Sequence, residues 1–253
     1  MMPAMATAGT RRSEQGTLGG RVHTELRELL MSGELAPGQK MSLRNVAKAL
    51  GTSIMPVREA VARLVADQSL EVLPNRAVRV PLMTRERFQE LTTVRLAIEG
   101  YAVEEAARRR TEADLAVMRC LEDAFLAQAR SPHPQAECAV RSNKALHFAV
   151  YQAAGLPTLV GIIEGLWLKI GPVLNFDLKA SPERLKTGGA AEHHRRLIAA
   201  VEAGDRCAAR HALVDDIQGA ASFIESTGRL LNEAVPVLNR HLAQAPAEPS
   251  SGL

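Results

Sequence analysis

Gly51-Thr-Ser-Ile-Met-Pro-Val-Arg-Glu-Ala-Val-Ala62 decides the fold of the amino-terminal part of this chain. Gly51 to Ser53 makes a short turn into a helix whose Val57, Val61, Leu64 and Val65 share one side. Arg58 and Arg63 lie off that side. Ser53 is placed to cap the helix, because its hydroxyl can accept from an otherwise orphaned amide. Pro56 is tolerated in the first turn, where amides have no helical partner. Upstream, Ser42 is placed to cap a second short helix with Leu43, Val46, Ala47 and Leu50 facing inward. Two helices joined by a short turn, with a basic outer face, form the helix-turn-helix pattern that fits the DNA major groove.

The next segment extends the pattern. Leu70-Glu-Val-Leu-Pro-Asn-Arg-Ala-Val-Arg-Val80 reads as a strand, a Pro-Asn turn and a second strand, with Val78 and Val80 alternating with Arg79. Helix-turn-helix plus hairpin is a winged helix. Asn75 and Arg76 stand at the wing tip, within reach of a phosphate or the minor groove.

Composition is consistent with this division. The 253 residues are 46% hydrophobic but only 3% aromatic, so the core must be built from Leu, Val and Ala, which favours helices. The net charge of +3 is unevenly spread: the first 82 residues hold 11 basic and 7 acidic side chains, against 20 and 21 in the remainder. The positive excess thus sits where phosphate attraction requires it. Cys120, Cys138 and Cys207 are odd in number and form no CxxC pair, so reduced thiols in a cytoplasm are expected. No apolar run approaches transmembrane length and the amino terminus lacks an apolar signal core, so no membrane association is expected.

From Thr84 onward helical periodicity dominates. Helices are predicted near 85–109, 111–130, 137–154, 156–178, 182–203 and 205–228, with 229–253 a further helix or tail. The expected architecture is mainly α: a tail over 1–17, a winged helix over 18–82, and an all-helical bundle over 83–228. Residues 1–17 and the end of the chain from Gln244 are expected to be disordered.

Several polar residues occupy apolar faces of these helices. Asn143 and His147 are one turn apart and share a face with Val140, Val150 and Ala154. His194 aligns with Leu197, Ile198 and Val201; Asp216 aligns with Leu213, Ala220 and Phe223; Arg95 aligns with Leu91, Ile98 and Ala102. Buried polar groups need partners, so these residues predict a shared polar cavity. A carboxylate, an amide oxygen and two imidazoles can bind a divalent metal, and an arginine can grip an organic carboxylate with two nitrogens. The alternative for Arg95 is a surface bridge to Glu99, of little energetic weight. His193, beside His194, is expected to be turned away.

Residues 18–82 resemble the DNA-binding domain of the GntR family of bacterial transcription regulators. The resemblance rests on Leu35-Ala-Pro-Gly38, Met55-Pro-Val-Arg-Glu-Ala60 and Pro74-Asn-Arg76. It implies DNA contacts from Arg58 and Arg44. The full expected contact set is Arg44, Ser53, Arg58, Arg63, Asn75 and Arg76. The chain departs from the family pattern at Ile54, where Arg is usual, and at Gln68 and Ala77, where Gly is usual. Gly reaches positive φ at low cost, so these last two bear on wing geometry.

Residues 85–228 resemble the all-helical effector-binding domain, called FCD, of the FadR-type branch of that family. The matching residues are Val94-Arg-Leu-Ala-Ile-Glu99, Asn143-Lys-Ala-Leu-His147, Gln152-Ala-Ala-Gly155 and the run from His194 to Asp205. The family often binds a metal through an Asp and a His one turn apart plus two later His, with a small carboxylate effector beside it. Carried over, this implies Asn143, His147, His194 and Asp216 as ligands of a Zn, Ni or Mn ion, with Asn143 where Asp is usual and Asp216 where the last His is usual. It implies an effector site of Arg95, Asn143, His147 and His194. The function implied is a homodimeric cytoplasmic regulator, a repressor by the commoner family outcome. It would bind double-stranded DNA at a palindromic operator under control of an organic acid. An effector-independent DNA-binding protein and a metal-dependent enzyme are the alternatives. No phosphate loop, Ser–His–Asp arrangement or paired catalytic carboxylates support the enzyme.

Overall fold

The computed structural model describes residues 17–74, 76–180 and 189–232, with side chains in the second segment described to Asn175. Among them are nine helices and three short strands: α1 (Leu18–Met31), β1 (Lys40–Met41), α2 (Leu43–Ala49), α3 (Ile54–Ala66), β2 (Glu71–Val72), β3 (Val78–Arg79), α4 (Arg85–Arg109), α5 (Glu112–Arg130), α6 (Ala136–Ala153), α7 (Pro157–Ala180), α8 (Ala190–Ala203) and α9 (Arg206–Ser226). Mainly α architecture, a winged helix followed by a helical bundle, is thus observed.

In the winged helix, α1 starts at Thr17, whose hydroxyl accepts from the Gly20 amide, and buries Val22, Leu26 and Leu30. Their spacing of four places them on one stripe, which packs on α3 through Val57, Ala60, Val61 and Leu64. Ser42 caps α2 by accepting from the Asn45 amide, as its position predicts. Ser53 occupies the N-cap of α3 but makes no side-chain cap bond. The strands are antiparallel in the order β1-β3-β2, with Lys40 opposite Arg79 and Val72 opposite Val78. Arg79 bonds the facing Glu71 at 2.7 Å. Left-handed backbone is found at Gln68 (φ 58°) and, at the wing tip, at Arg76 (φ 62°) rather than at Ala77. The extra torsional cost of a side-chain-bearing residue there is about 1–2 kcal/mol.

In the bundle, α4 starts at a Thr84 cap and α5 at a reciprocal Thr111–Asp114 capping box, which satisfies two otherwise orphaned amides. Helix α4 runs through the centre, packed against α6, α7, α8 and α9, while α5 covers α6 and α8. Gly189 has φ 74°, so α8 begins at Ala190 and not at 182 as periodicity suggests; 181–188 lie outside the described residues. Of the 229–253 stretch, Leu231 pairs with the start of α4 through Arg85 N–H and Met83 C=O; residues 233–253, like 1–16, lie outside the described residues.

One helix corrects the membrane reading. Pro157–Asn175 of α7 is long and apolar enough to cross a bilayer by length and composition. It packs against α1, α4 and α6, burying Ile163, Trp167, Leu168 and Ile170, so its apolarity serves the core. The three cysteines are free thiols.

Candidate functional site

Two candidate sites follow from this scaffold. The first is the outer face of α2 and α3. Burial of Val57, Ala60, Val61 and Leu64 against α1 leaves Arg58 on the solvent side. Arg58 and Arg44 are exposed and, among the described residues, have no ion-pair partner. Arg63 is engaged, with Nη2 2.9 Å from Glu59 Oε1 on an exposed part of α3. Ser53 and Arg76 are exposed, and Asn75 lies outside the described residues. Met55, 65% exposed on the same helix, was not singled out by sequence; an apolar side chain there suits a thymine methyl.

The second site is inside the bundle. His147 on α6, His194 on α8 and Asp216 on α9 each offer a ligand atom within 4.8 Å of the others. Both imidazoles are buried and Asp216 is 15% exposed. Asn143 sits one turn before His147, half-buried, and makes no hydrogen bond among the described residues.

The surrounding bonds fix the proton positions. Arg95 donates to both oxygens of Glu99, at 2.6 and 3.1 Å, and both residues are buried. The pairing expected as the alternative for Arg95 is thus present, but buried rather than on the surface. The Tyr151 hydroxyl donates its single proton to Glu99 Oε2, so toward His147 Nδ1, 3.2 Å away, its oxygen must accept. His147 therefore carries its proton on Nδ1. Its Nε2 faces Asp216 Oδ2 at 3.3 Å, an ion pair when that nitrogen is protonated. His194 is held the same way: Nδ1 donates to Glu122 Oε2 at 2.9 Å, and Nε2 is buried with no hydrogen-bond partner among the described residues. Carboxylate and phenol behind the imidazoles orient both Nε2 atoms inward, as outer-shell partners of metal-binding histidines do. A proton or cation between these acceptors resolves the conflict.

Electrostatics agree. Burial pushes the Asp216 carboxyl up, but the hydrogen bond and charge of His147 and the charges of His194 and His193 outweigh it, holding the group at about 2. His194 is lowered by burial and raised more by Glu122 and Asp216, ending above its ordinary value. Burial, with Glu99 adding and Arg95 opposing, holds the Tyr151 hydroxyl well above 10, which keeps it a donor.

The structure thus brings Arg95, His147, His194 and Asp216 together and adds residues that sequence patterns missed. Glu122 falls on the apolar stripe of α5 with Leu115, Met118 and Phe125, and Tyr151 is one turn after His147. Both were legible in principle. Trp167 was not: its ring lies 5.6 Å from His147 and 5.2 Å from the Arg95 guanidinium carbon, a contact that needs the tertiary fold. His193 is not simply turned away. It is half-buried beside Gly189 and Gly219, with Nδ1 enclosed, and contributes to the field at Asp216. Arg95 has its Nε–Nη2 edge taken by Glu99, so it does not present that fork to a ligand.

Comparison with known proteins fits both sites. Residues 18–80 match the model of bacterial regulatory proteins of the gntR family, and 90–219 match the FCD domain. The chain is 33% identical over 212 residues to the HTH-type transcriptional regulator McbR of Escherichia coli (strain K12), covering 83% of this chain and 94% of that one. It is 27% identical over 220 residues to a probable D-xylose utilization operon transcriptional repressor of Paenarthrobacter nicotinovorans, covering 87% and 93%. The solved structure of E. coli McbR/YncC superposes with a TM-score of 0.76 at 31% identity, over 83% of this chain and 98% of that one. A putative GntR regulator from Rhodococcus sp. RHA1 shares the fold at a TM-score of 0.66 and 22% identity, over 82% and 97%. The chain therefore belongs to the GntR family of bacterial transcription regulators, in the branch with an FCD domain, and is a DNA-binding regulator rather than an enzyme.

Proposed function

We propose that this regulator is a homodimeric, cytoplasmic repressor in which residues 18–82 read a palindromic operator and residues 83–228 dimerise and hold a divalent metal with its effector. One observation carries the metal: His147 Nε2, the unpartnered His194 Nε2 and the Asp216 carboxylate converge within 4.8 Å in the buried bundle. His147, His194 and Asp216 would hold the ion, with Asn143 Oδ1 as a neutral fourth ligand. The nitrogen and oxygen donor set suits Zn, Ni or Mn. When bound, the ion supplies a Lewis-acidic point for an effector oxygen. An organic acid would be captured there rather than by the Arg95 fork. Arg95 and Glu99 instead position Tyr151, which in turn orients His147. Arg44, Arg58 and Arg76, exposed on one domain, supply the phosphate and base contacts; Ser53, Arg63 and Asn75 complete the set.

The test is metal analysis of untagged protein by mass spectrometry. About one ion per chain is expected, falling to trace levels in His147→Ala and Asp216→Asn. Metal-free wild-type protein that also takes up no zinc on dialysis contradicts the metal site. Light scattering checks the dimer, and a monomer at micromolar concentration contradicts it.

A further inference from the structure

Helix α7 touches both sites. Near its middle, Trp167 packs against the His147 ring and lies under the Arg95 guanidinium. One turn on, Gly171 meets the end of α1: a methyl group there would stand 3.0 Å from Met31 Cα and 3.1 Å from its carbonyl oxygen. A further turn on, the buried Asn175 donates its amide to the Met31 carbonyl. Met31 ends α1, and the last carbonyls of a helix have no intrahelical donor; Asn175 supplies one from another domain. Toward the other end of the contact, Arg27 bonds Glu164 at 2.8 Å. Residues 164, 167, 171 and 175 follow helical spacing, so they form one stripe.

The same turn is the weakest in α7. Pro172 lies inside the helix and has no N–H for the Leu168 carbonyl. Gly171 adds backbone freedom beside it. A Gly-Pro pair at the point of closest approach to α1 gives the helix a pivot between its site-facing half and its α1-gripping half.

We propose that α7 couples the bundle site to the DNA-reading head, with Trp167 sensing occupancy at His147 and Gly171 and Asn175 acting as positioning residues that hold the end of α1. This rests on the metal reading above. Occupancy that moves His147 moves the Trp167 ring packed on it. A displacement of the Trp167 turn about this pivot is transmitted to α1 because Gly171 leaves no gap and Asn175 ties the carbonyl. Helix α1 packs on α3, so its orientation sets that of Arg58.

The experiment adds zinc alone to the metal-free full-length protein and follows two signals. Trp167 is the only tryptophan, so its emission reports the site. Amide exchange reports the head. Zinc is expected to change Trp167 emission and to slow exchange at Leu26–Met31 by about fivefold relative to α2. In Asn175→Leu, which keeps volume and removes the donor, the emission change should persist while the zinc-dependent slowing falls below about twofold. Gly171→Ala is a second variant with the same expected split. A merely structural Asn175 would raise basal exchange without altering the zinc-dependent ratio, which overturns the coupling. So does a wild-type protein whose tryptophan reports zinc while α1 does not respond. If neither emission nor calorimetry detects zinc uptake, the metal reading fails and the coupling falls with it.

Discussion

The reading head and the bundle site use arginine in opposite ways. Arg58 and Arg44 are exposed and without ion pairs among the described residues; Arg95 is buried and held at two nitrogens by Glu99. In the head, a charge left in water is free to meet phosphate or a guanine edge at little desolvation cost. In the bundle, a charge removed from water must be matched by the protein itself. The difference teaches that the head is built to bind a large polyanion from outside, whereas the bundle has neutralised its cation internally and gathers two imidazoles around a carboxylate instead.

The comparison breaks most visibly at Glu99. Glu99→Ala leaves the Arg95 charge buried without its partner and deprives Tyr151 of its acceptor; a loss of about 3–5 kcal/mol is expected, measured by urea unfolding. A loss below about 1 kcal/mol would show that Arg95 is solvated after all. Next in size is Arg58→Ala, which should weaken operator binding by about 1–3 kcal/mol with sequence discrimination reduced and thermal unfolding unchanged. Retained discrimination in fluorescence anisotropy would remove Arg58 from the base-reading role.

The pH response sharpens the contrast through His194, which lies in the bundle site. His194 is raised in the folded state, so in metal-free protein its contribution to stability is complete below 6.5 and is lost as pH rises through the folded value. Zinc must displace the proton on Nε2, so zinc affinity runs the other way and increases across the same window. Calorimetry at several pH values checks this, and affinity that is flat above 6.5 contradicts it. Asp216 behaves as the depressed carboxylate: its stabilisation is present above 3.8 and lost as pH falls through about 2. The smallest effect is expected at Gln68, whose φ of 58° suits glycine. Gln68→Gly should stabilise the head by up to about 1 kcal/mol, read as a rise in melting temperature without change in DNA affinity.

The two regions also differ in how much of each was legible. The winged helix is a local object: Ser42 and Thr84 cap where they stand, Val57 and Val61 repeat at helical spacing, and Arg58 is outward because its neighbours are inward. Such features depend on residues within a turn or two, so the sequence alone determined the order of the helices, most of their ends and the exposed basic face. It also marked Arg95, His147, His194 and Asp216 as polar groups on apolar faces. Beyond the Arg95–Glu99 pair, one turn apart on one helix, only the tertiary structure decided who answers whom. Glu122 is 72 residues from the His194 it holds, and Tyr151 is 52 from the Glu99 it donates to. Partner choice between buried groups is set by helix packing, which brings together residues with no shared periodicity. The burial of the Arg95–Glu99 pair, the Tyr151 contact with it and the grip of Asn175 on Met31 all follow from that packing.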